Sequence, residues 1–506
     1  MICKTHSQMN ASQVGGARNC QNARDLSKKK ALTRYAMSQH MTQIAEETAA
    51  ASAGALQGPL AAARQSVGLR GRCRPPGDKS ISHRALLLNA LAVGRAQVTG
   101  LLEGEDVLAM AAALRLLGAE VTRTPAGAPD GGPVWTVDGV GVQGFREPDA
   151  VLDMGNSGTA ARLLAGAIAG ADIFACMTGD ASLRSRPMAR VTGPLGRMGA
   201  RFMTRAGGRL PLAIRGAAEA RALDYNSPVA SAQVKSAILL AGLAAAGVTR
   251  VTEPVMSRDH TERMLIRMGA EIVSGPAADG AGWAVALTGQ PELNAIDVDV
   301  PADPSSAAFP LVAALISPGS EIRLEHVCLN PARAGLIATL QEMGGNIELI
   351  DARDVGGEPV ADLIVRGCQL RGIDVPPDRA ASMIDEYPIL AVAAAVADGE
   401  TRMTGIGELR VKETDRIAAM ARGLAAAGVD VTEHKDGMTV RGGKSVKGGV
   451  VVEAELDHRI AMSFLVLSMA AAAPITVDDA APIATSFPSF RALMEGLGAE
   501  FIASEP

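Results

Sequence analysis

Aromatic side chains are scarce in this chain: Phe, Tyr and Trp make up 3% of its 506 residues, with two Trp and three Tyr. Ala, Leu, Val, Ile and Met must therefore build the interior, and 48% hydrophobic residues supply enough for a sizeable core. Cysteine pairing is lacking too. The six cysteines (Cys3, Cys20, Cys73, Cys176, Cys328 and Cys368) are scattered, and no two have zinc-type spacing. A chain this long needs no staples, so reduced thiols are expected. Charge is not strongly of one sign: a net −5 gives nucleic acid no basic footprint. No apolar run is long enough to span a membrane, since polar residues break even the Ala-rich segment Ser236 to Val248. Neither nucleic acid nor membrane is expected as a partner, and the length suggests roughly two to four domains.

Residues 1 to 63 differ from the rest. Up to Arg34 they hold seven Lys or Arg against one acid, Asp25, with no secretory apolar core. A basic, acid-poor leader is one reading. A disordered extension, or sequence upstream of a true start at Met37 or Met41, is the reading we prefer.

What is present is a repeat. A helical pattern ends in an apolar residue, Gly and a small residue, and a strand-like start follows. Leu117-Gly118-Ala119 returns as Met198-Gly199-Ala200, Met268-Gly269-Ala270, Met343-Gly344-Gly345, Ala427-Gly428-Val429 and Leu497-Gly498-Ala499. The period is roughly 70 to 84 residues, which argues for six similar α/β units. Each Gly suits a helix C′ position, where a left-handed residue turns the chain into a strand. One unit alone is small for a stable core, so two domains of three are expected. The seam falls near Asp297-Val298-Asp299-Val300-Pro301. One domain spans 79–296; the other collects 64–78 and 297–506. A cleft between them is a favoured place for a substrate.

Charged residues cluster at helix starts. Pro76-Gly77-Asp78-Lys79-Ser80-Ile81-Ser82-His83-Arg84 reads as a loop feeding an apolar helix, with Ser80 as N-cap. Cations at a helix N-terminus make sense if an anion docks there, although solvated loop charges explain them equally well in isolation. A nucleotide P-loop is disfavoured, because Asp78 separates Gly77 from Lys79 and Gly71 lies six residues upstream. Gly139-Val140-Gly141-Val142-Gln143-Gly144 has the dinucleotide spacing, but no helical pattern follows it. Gly155-Asn156-Ser157-Gly158-Thr159 precedes a helix carrying Arg162, and here an ordinary capped helix competes with an anion site. Arg184 and Arg186 offer guanidinium forks suited to phosphate or carboxylate. Ser231-Ala232-Gln233-Val234-Lys235 supplies hydroxyl, amide and ammonium donors, and Arg258-Asp259-His260-Thr261-Glu262 opens another helix.

The second half adds acids. Asp385 and Glu386 precede the apolar run Ile389 to Val396. In Glu408 to Arg416, Lys412 and Arg416 are spaced to share a helix face with Glu413 beside them, although a solvated amphipathic face is the usual cause of such a run. Asp457-His458-Arg459 opens a nearly all-apolar helix, Ile460 to Ala473, where charges are harder to dismiss as surface.

Together these motifs, in this order, resemble the 5-enolpyruvylshikimate-3-phosphate synthase family over about Gly68 to Ala499. The resemblance implies an α/β fold of two domains, each with three βαβαββ units around buried helices. It implies transfer of the enolpyruvyl group of phosphoenolpyruvate to the 5-hydroxyl of shikimate 3-phosphate, with no metal or organic cofactor. Lys79, Ser80, Arg84, Ser231, Ala232, Gln233, Asp385 and Lys412 are implied to bind shikimate 3-phosphate. Lys79, Gly158, Arg186, Gln233, Arg416 and Arg459 are implied to bind phosphoenolpyruvate. Asp385, Glu413 and Lys79 are the implied proton-transfer groups. Glyphosate is the implied inhibitor, and a cytoplasmic monomer is expected. Sensitivity to it stays open: the Ser-Ala-Gln wording resembles the tolerant branch, which can carry Ala where Gly158 stands. The sister transferase acting on UDP-N-acetylglucosamine is disfavoured, because Ala181 replaces its Cys and Ser80 its Asn. A catalytically silent anion-binding protein would not need Asp385 and Glu413.

Overall fold

The computed structural model describes residues 58–503 apart from 66, 129, 130, 279 and 281. Residues 1–57, which carry most of the expected extension, lie outside the described residues.

All six glycine turns are present. Gly118, Gly199, Gly269, Gly344, Gly428 and Gly498 follow helix ends with φ between +85° and +112°, where a side chain would be strained. Each leads into a strand, and among the described residues the strands form six four-stranded sheets. In the first, Glu120–Thr124 pairs antiparallel with Val134–Val140, which pairs antiparallel with Val93–Thr99. The segment Gly139 to Gly144 ends that strand in a turn, not a helix.

Three sheets recruit distant strands. Val298–Asp299 lies parallel to Val93–Thr99 in the first sheet. Arg70–Cys73 lies parallel to Glu321–Cys328 in the fourth. Leu60–Ala62 lies antiparallel between Thr476–Val477 and Phe501–Ala503 in the sixth. The extension expected up to residue 63 thus includes a buried strand. Three apolar residues after a proline have no alternating pattern, so nothing in the sequence marked them as a strand.

Six helices are buried almost all round: α1 (Lys79–Ala90), α2 (Gly158–Ala169), α3 (Ala232–Gly242), α4 (Pro304–Ile316), α5 (Tyr387–Val396) and α6 (His458–Ser468). Apolar residues on nearly every side of them suit the centre of a core, not its surface. Buried apolar side chains form two clusters. One runs from Ile81 to Val300 with Cys328; the other joins Leu60, Ala62 and Leu69 to residues Ala307 to Ala499. Small residues allow tight helix contact: a Cβ on Gly166 of α2 would lie 2.4 Å from the Ala237 carbonyl oxygen of α3. The scarce aromatics are concentrated, with Phe490 meeting Phe309, Phe487 and Phe501 edge-on at 6.1, 5.5 and 5.9 Å between ring centres. Among the described residues no helix is long and apolar enough to cross a membrane.

Candidate active site

The starts of the buried helices converge. A cavity of 160 Å³ is lined by Lys79 and Ser80 of α1, Thr159 of α2, Gln233 of α3, Ser305 and Ser306 of α4, Asp385 just before α5, and His458 and Arg459 of α6. Backbone N–H groups and the positive ends of helix dipoles favour anions at such a place. Arg258, Arg333, Lys412 and Arg416 add cationic side chains, and Asp303 and Glu413 join Asp385 as carboxylates. A second cavity of 550 Å³ shares Lys79, Thr159, Gln233, Glu413 and His458 with the first. It adds Gly158, Arg162 and Arg186.

α1 is capped by Asp78, not by the expected Ser80: Asp78 Oδ1 accepts from the Ile81 N–H at 2.8 Å. Aspartate caps as well as serine does, and this choice makes Lys79 the first helical residue. Lys79 Nζ meets the Asp106 carboxylate. Arg84 lines neither cavity. Its guanidinium donates to the Ser80 carbonyl (2.9 Å), Thr261 Oγ1 (2.6 Å) and Ser236 Oγ (2.8 Å), and burial lowers its pKa to about 10. Ser231 caps α3 and, like Ala232 and Arg184, lines neither cavity.

Gln233 sits between two partners. Its Nε2 donates to Thr159 Oγ1 at 3.0 Å, and its Oε1 accepts from Arg162 at 2.6 Å. Burial, then Arg190 and Arg186, bring the Arg162 pKa down to about 9. Arg186 donates to Asn156 Oδ1 at 2.8 Å and Ser182 Oγ at 3.1 Å.

Lys412 and Arg416 do not share a helix face. Gly407–Val411 is a 3₁₀ turn and the α-helix starts at Arg416, capped by Asp415. Charged residues packed around Asp385 outweigh the local helical spacing. Lys412 and Arg416 reach the same carboxylate oxygen of Asp385 at 3.4 and 3.2 Å, while Arg258 holds the other at 2.8 Å. Burial pushes the Asp385 pKa up, but Lys412, Arg459, Arg258 and Arg416 outweigh it and hold the group well below the usual range. Glu413, 2.5 Å from Arg416, is likewise held low against its burial. Arg416 in turn is locked by Asp457 at 2.7 Å, and the surrounding carboxylates raise its pKa.

Sequence reading passed over Arg333, Asp303, Ser305 and Ser306. Asp303-Pro304-Ser305 before an apolar run is a legible helix start, with Asp as cap and Pro at the first position. Arg333 had no such signal. Among the described residues, no group of three or more His, Cys, Asp or Glu side chains is arranged to hold a metal.

Fold and site together define an α/β protein of six repeated units whose buried helix starts converge on a cation-lined cavity. A family model described as EPSP synthase (3-phosphoshikimate 1-carboxyvinyltransferase) matches residues 63–494. The chain belongs to that family. It is 60% identical over 441 residues to the 3-phosphoshikimate 1-carboxyvinyltransferase of Parvibaculum lavamentivorans, covering 87% of this chain and 96% of that one. It is also 60% identical over 438 residues to the Rhodospirillum rubrum protein of the same name, covering 86% and 96%. A solved EPSP synthase from Acinetobacter baumannii superposes with a TM-score of 0.79 at 42% identity, over 89% of this chain and all of that one.

Proposed function

We propose that the cavity holds shikimate 3-phosphate and phosphoenolpyruvate side by side and transfers the enolpyruvyl group of the second to the 5-hydroxyl of the first, releasing phosphate. One observation carries this reading: the first turns of the buried helices and six cationic side chains line a cavity that also holds Asp385 and Glu413. Two polyanions need the cations, and proton transfer needs the carboxylates.

In this reading Lys79, Ser80, Gln233, Asp385 and Lys412 meet shikimate 3-phosphate, with Ser231 and Ala232 at the α3 start and Arg84 fixing the Ser80 carbonyl behind it. Gly158, Arg186, Arg416 and Arg459 hold phosphoenolpyruvate, with Lys79 and Gln233 between the substrates. The two apolar clusters are the interiors of two domains, 79–296 and the remainder, whose closure excludes water. Glyphosate competes on the phosphoenolpyruvate side, and the enzyme acts as a cytoplasmic monomer.

In the addition step, Asp385 takes the proton of the 5-hydroxyl as its oxygen bonds to C2 of phosphoenolpyruvate, and C3 gains a proton. In the elimination step, C3 returns a proton and phosphate leaves. Glu413 and Lys79 serve C3. Glu413 paired to Arg416, like Asp385 among its four cations, is too weakly basic for that work until substrate anions engage those cations. Once the substrate carboxylate engages Arg416, the strongest neighbour holding the Glu413 pKa down is shared, and its proton affinity rises.

The test is phosphate release from phosphoenolpyruvate with either shikimate 3-phosphate or UDP-N-acetylglucosamine as acceptor. Release with the first alone is expected. Release with the sugar nucleotide, or with neither, would overturn the assignment.

A further inference from the structure

Arg333 is buried, with its side chain 2% exposed, yet it lines the 160 Å³ cavity. Its partners lie at two of the converging helix starts. Nη1 meets Asp78 Oδ2, the cap of α1, at 2.9 Å. Nη2 meets Asp303 Oδ1, the cap of α4, at 2.7 Å, and Ser305 Oγ at 2.7 Å. Asp303 uses its other oxygen to accept the Lys79 backbone N–H at 3.2 Å. Ser305 Oγ donates to Glu386 Oε1, and the same carboxylate oxygen accepts from Arg459 at 3.3 Å. One guanidinium therefore stands between the residues that anchor Lys79 and the residues that anchor Arg459. Asp78 and Lys79 adjoin one apolar cluster, and Asp303, Ser305 and Arg459 adjoin the other.

We propose that Arg333 is a positioning residue that sets the spacing between Lys79 and Arg459, and so the width of the phosphoenolpyruvate site. The planar fork is essential to this, because two helix caps are held at once by groups fixed on one plane. A lysine ammonium would satisfy the charge but could not hold both caps in register. The inference rests on the placement of phosphoenolpyruvate between Lys79 and Arg459 given above.

The experiment is a comparison of Arg333→Lys, Ser305→Ala and Arg459→Lys, each purified as the full chain. Phosphoenolpyruvate KM, shikimate 3-phosphate Kd and thermal midpoint are read for each. Arg333→Lys keeps the buried charge and is expected to fold. Its phosphoenolpyruvate KM should rise about tenfold or more while shikimate 3-phosphate Kd moves less than about threefold. Ser305→Ala cuts the link to Glu386 without changing any charge, and should raise the same KM by a smaller factor. An unchanged phosphoenolpyruvate KM in Arg333→Lys, or an equal loss for both substrates, overturns the proposal, since a purely structural arginine would produce the second pattern. If Arg459→Lys also leaves that KM unchanged, the substrate placement itself is wrong and the inference falls with it. A raised KM in Arg459→Lys beside an unaffected Arg333→Lys condemns the Arg333 link alone.

Discussion

Arg416 and Asp457 form an ion pair at 2.7 Å in which neither side chain is more than 1% exposed. Asp457 also caps α6, accepting the Arg459 N–H at 2.8 Å. One carboxylate thus orients two cations of the site, Arg416 by charge and Arg459 through its helix start. Asp457→Asn keeps the cap and removes the charge. Stripping one partner from a buried pair should cost about 3 kcal/mol in urea unfolding. A loss under roughly 1 kcal/mol would mean that Asp385 and Glu413 neutralise Arg416 without it.

Asp385 is surrounded by four cations and ionised throughout the neutral range. If it is the base for the 5-hydroxyl, Asp385→Ala should lower kcat by about 10²- to 10⁴-fold. Binding of shikimate 3-phosphate, followed by calorimetry, should persist. Unchanged turnover would remove Asp385 from the role.

A methyl on Gly158 would lie 2.8 Å from Arg162 Nη1 and 3.4 Å from Arg186 Nη1. Arg162 must yield, and it carries the Gln233 amide oxygen. Gly158→Ala should therefore weaken glyphosate and phosphoenolpyruvate more than shikimate 3-phosphate. Inhibition curves for the two proteins that superimpose would defeat this account.

His458 is held down to about 4, chiefly by burial, against an ordinary 6.5. Between those values the unfolded chain binds a proton that the folded chain refuses. The contribution of His458 is therefore complete above pH 6.5 and is lost as pH falls toward 4. His458→Gln should flatten the fall in unfolding free energy across that window by up to about 3 kcal/mol. Parallel pH profiles for the variant and the parent would show that His458 is not responsible.

The helix ends and the charged starts were legible because each is written locally: a Gly after an apolar residue, an Asp or Ser before an apolar run. Lys79, Gln233, Asp385, Lys412, Arg416 and Arg459 all came from such stretches, and all line the first cavity. Arg333 was not legible, since its partners Asp78 and Asp303 stand 255 and 30 residues away. Nothing beside Arg333 announces a buried fork. The cap of α1 was misread for a subtler reason: Asp78 and Ser80 both cap well, and tertiary contacts distinguish them, with Arg333 holding the Asp78 carboxylate and Asp303 accepting the Lys79 N–H.

The strand Leu60–Ala62 has the same origin. Its neighbours lie more than four hundred residues away, as the Ser468 Oγ bond to the Ala62 carbonyl shows (2.5 Å, 406 residues apart). Ala63 N–H extends the ladder to the Glu500 carbonyl at 2.8 Å. Removing the strand would leave Thr476–Val477 and Phe501–Ala503 without the partner between them and uncover apolar surface behind Leu60. A chain beginning at Gly58 and one beginning at Arg64 differ only in this strand and its flanks. The shorter chain should be less stable than the longer by about 3 kcal/mol or more, from lost burial and unpaired backbone groups. Differential unfolding of the two truncations measures this directly, and equal midpoints would show that the sixth sheet holds without its central strand.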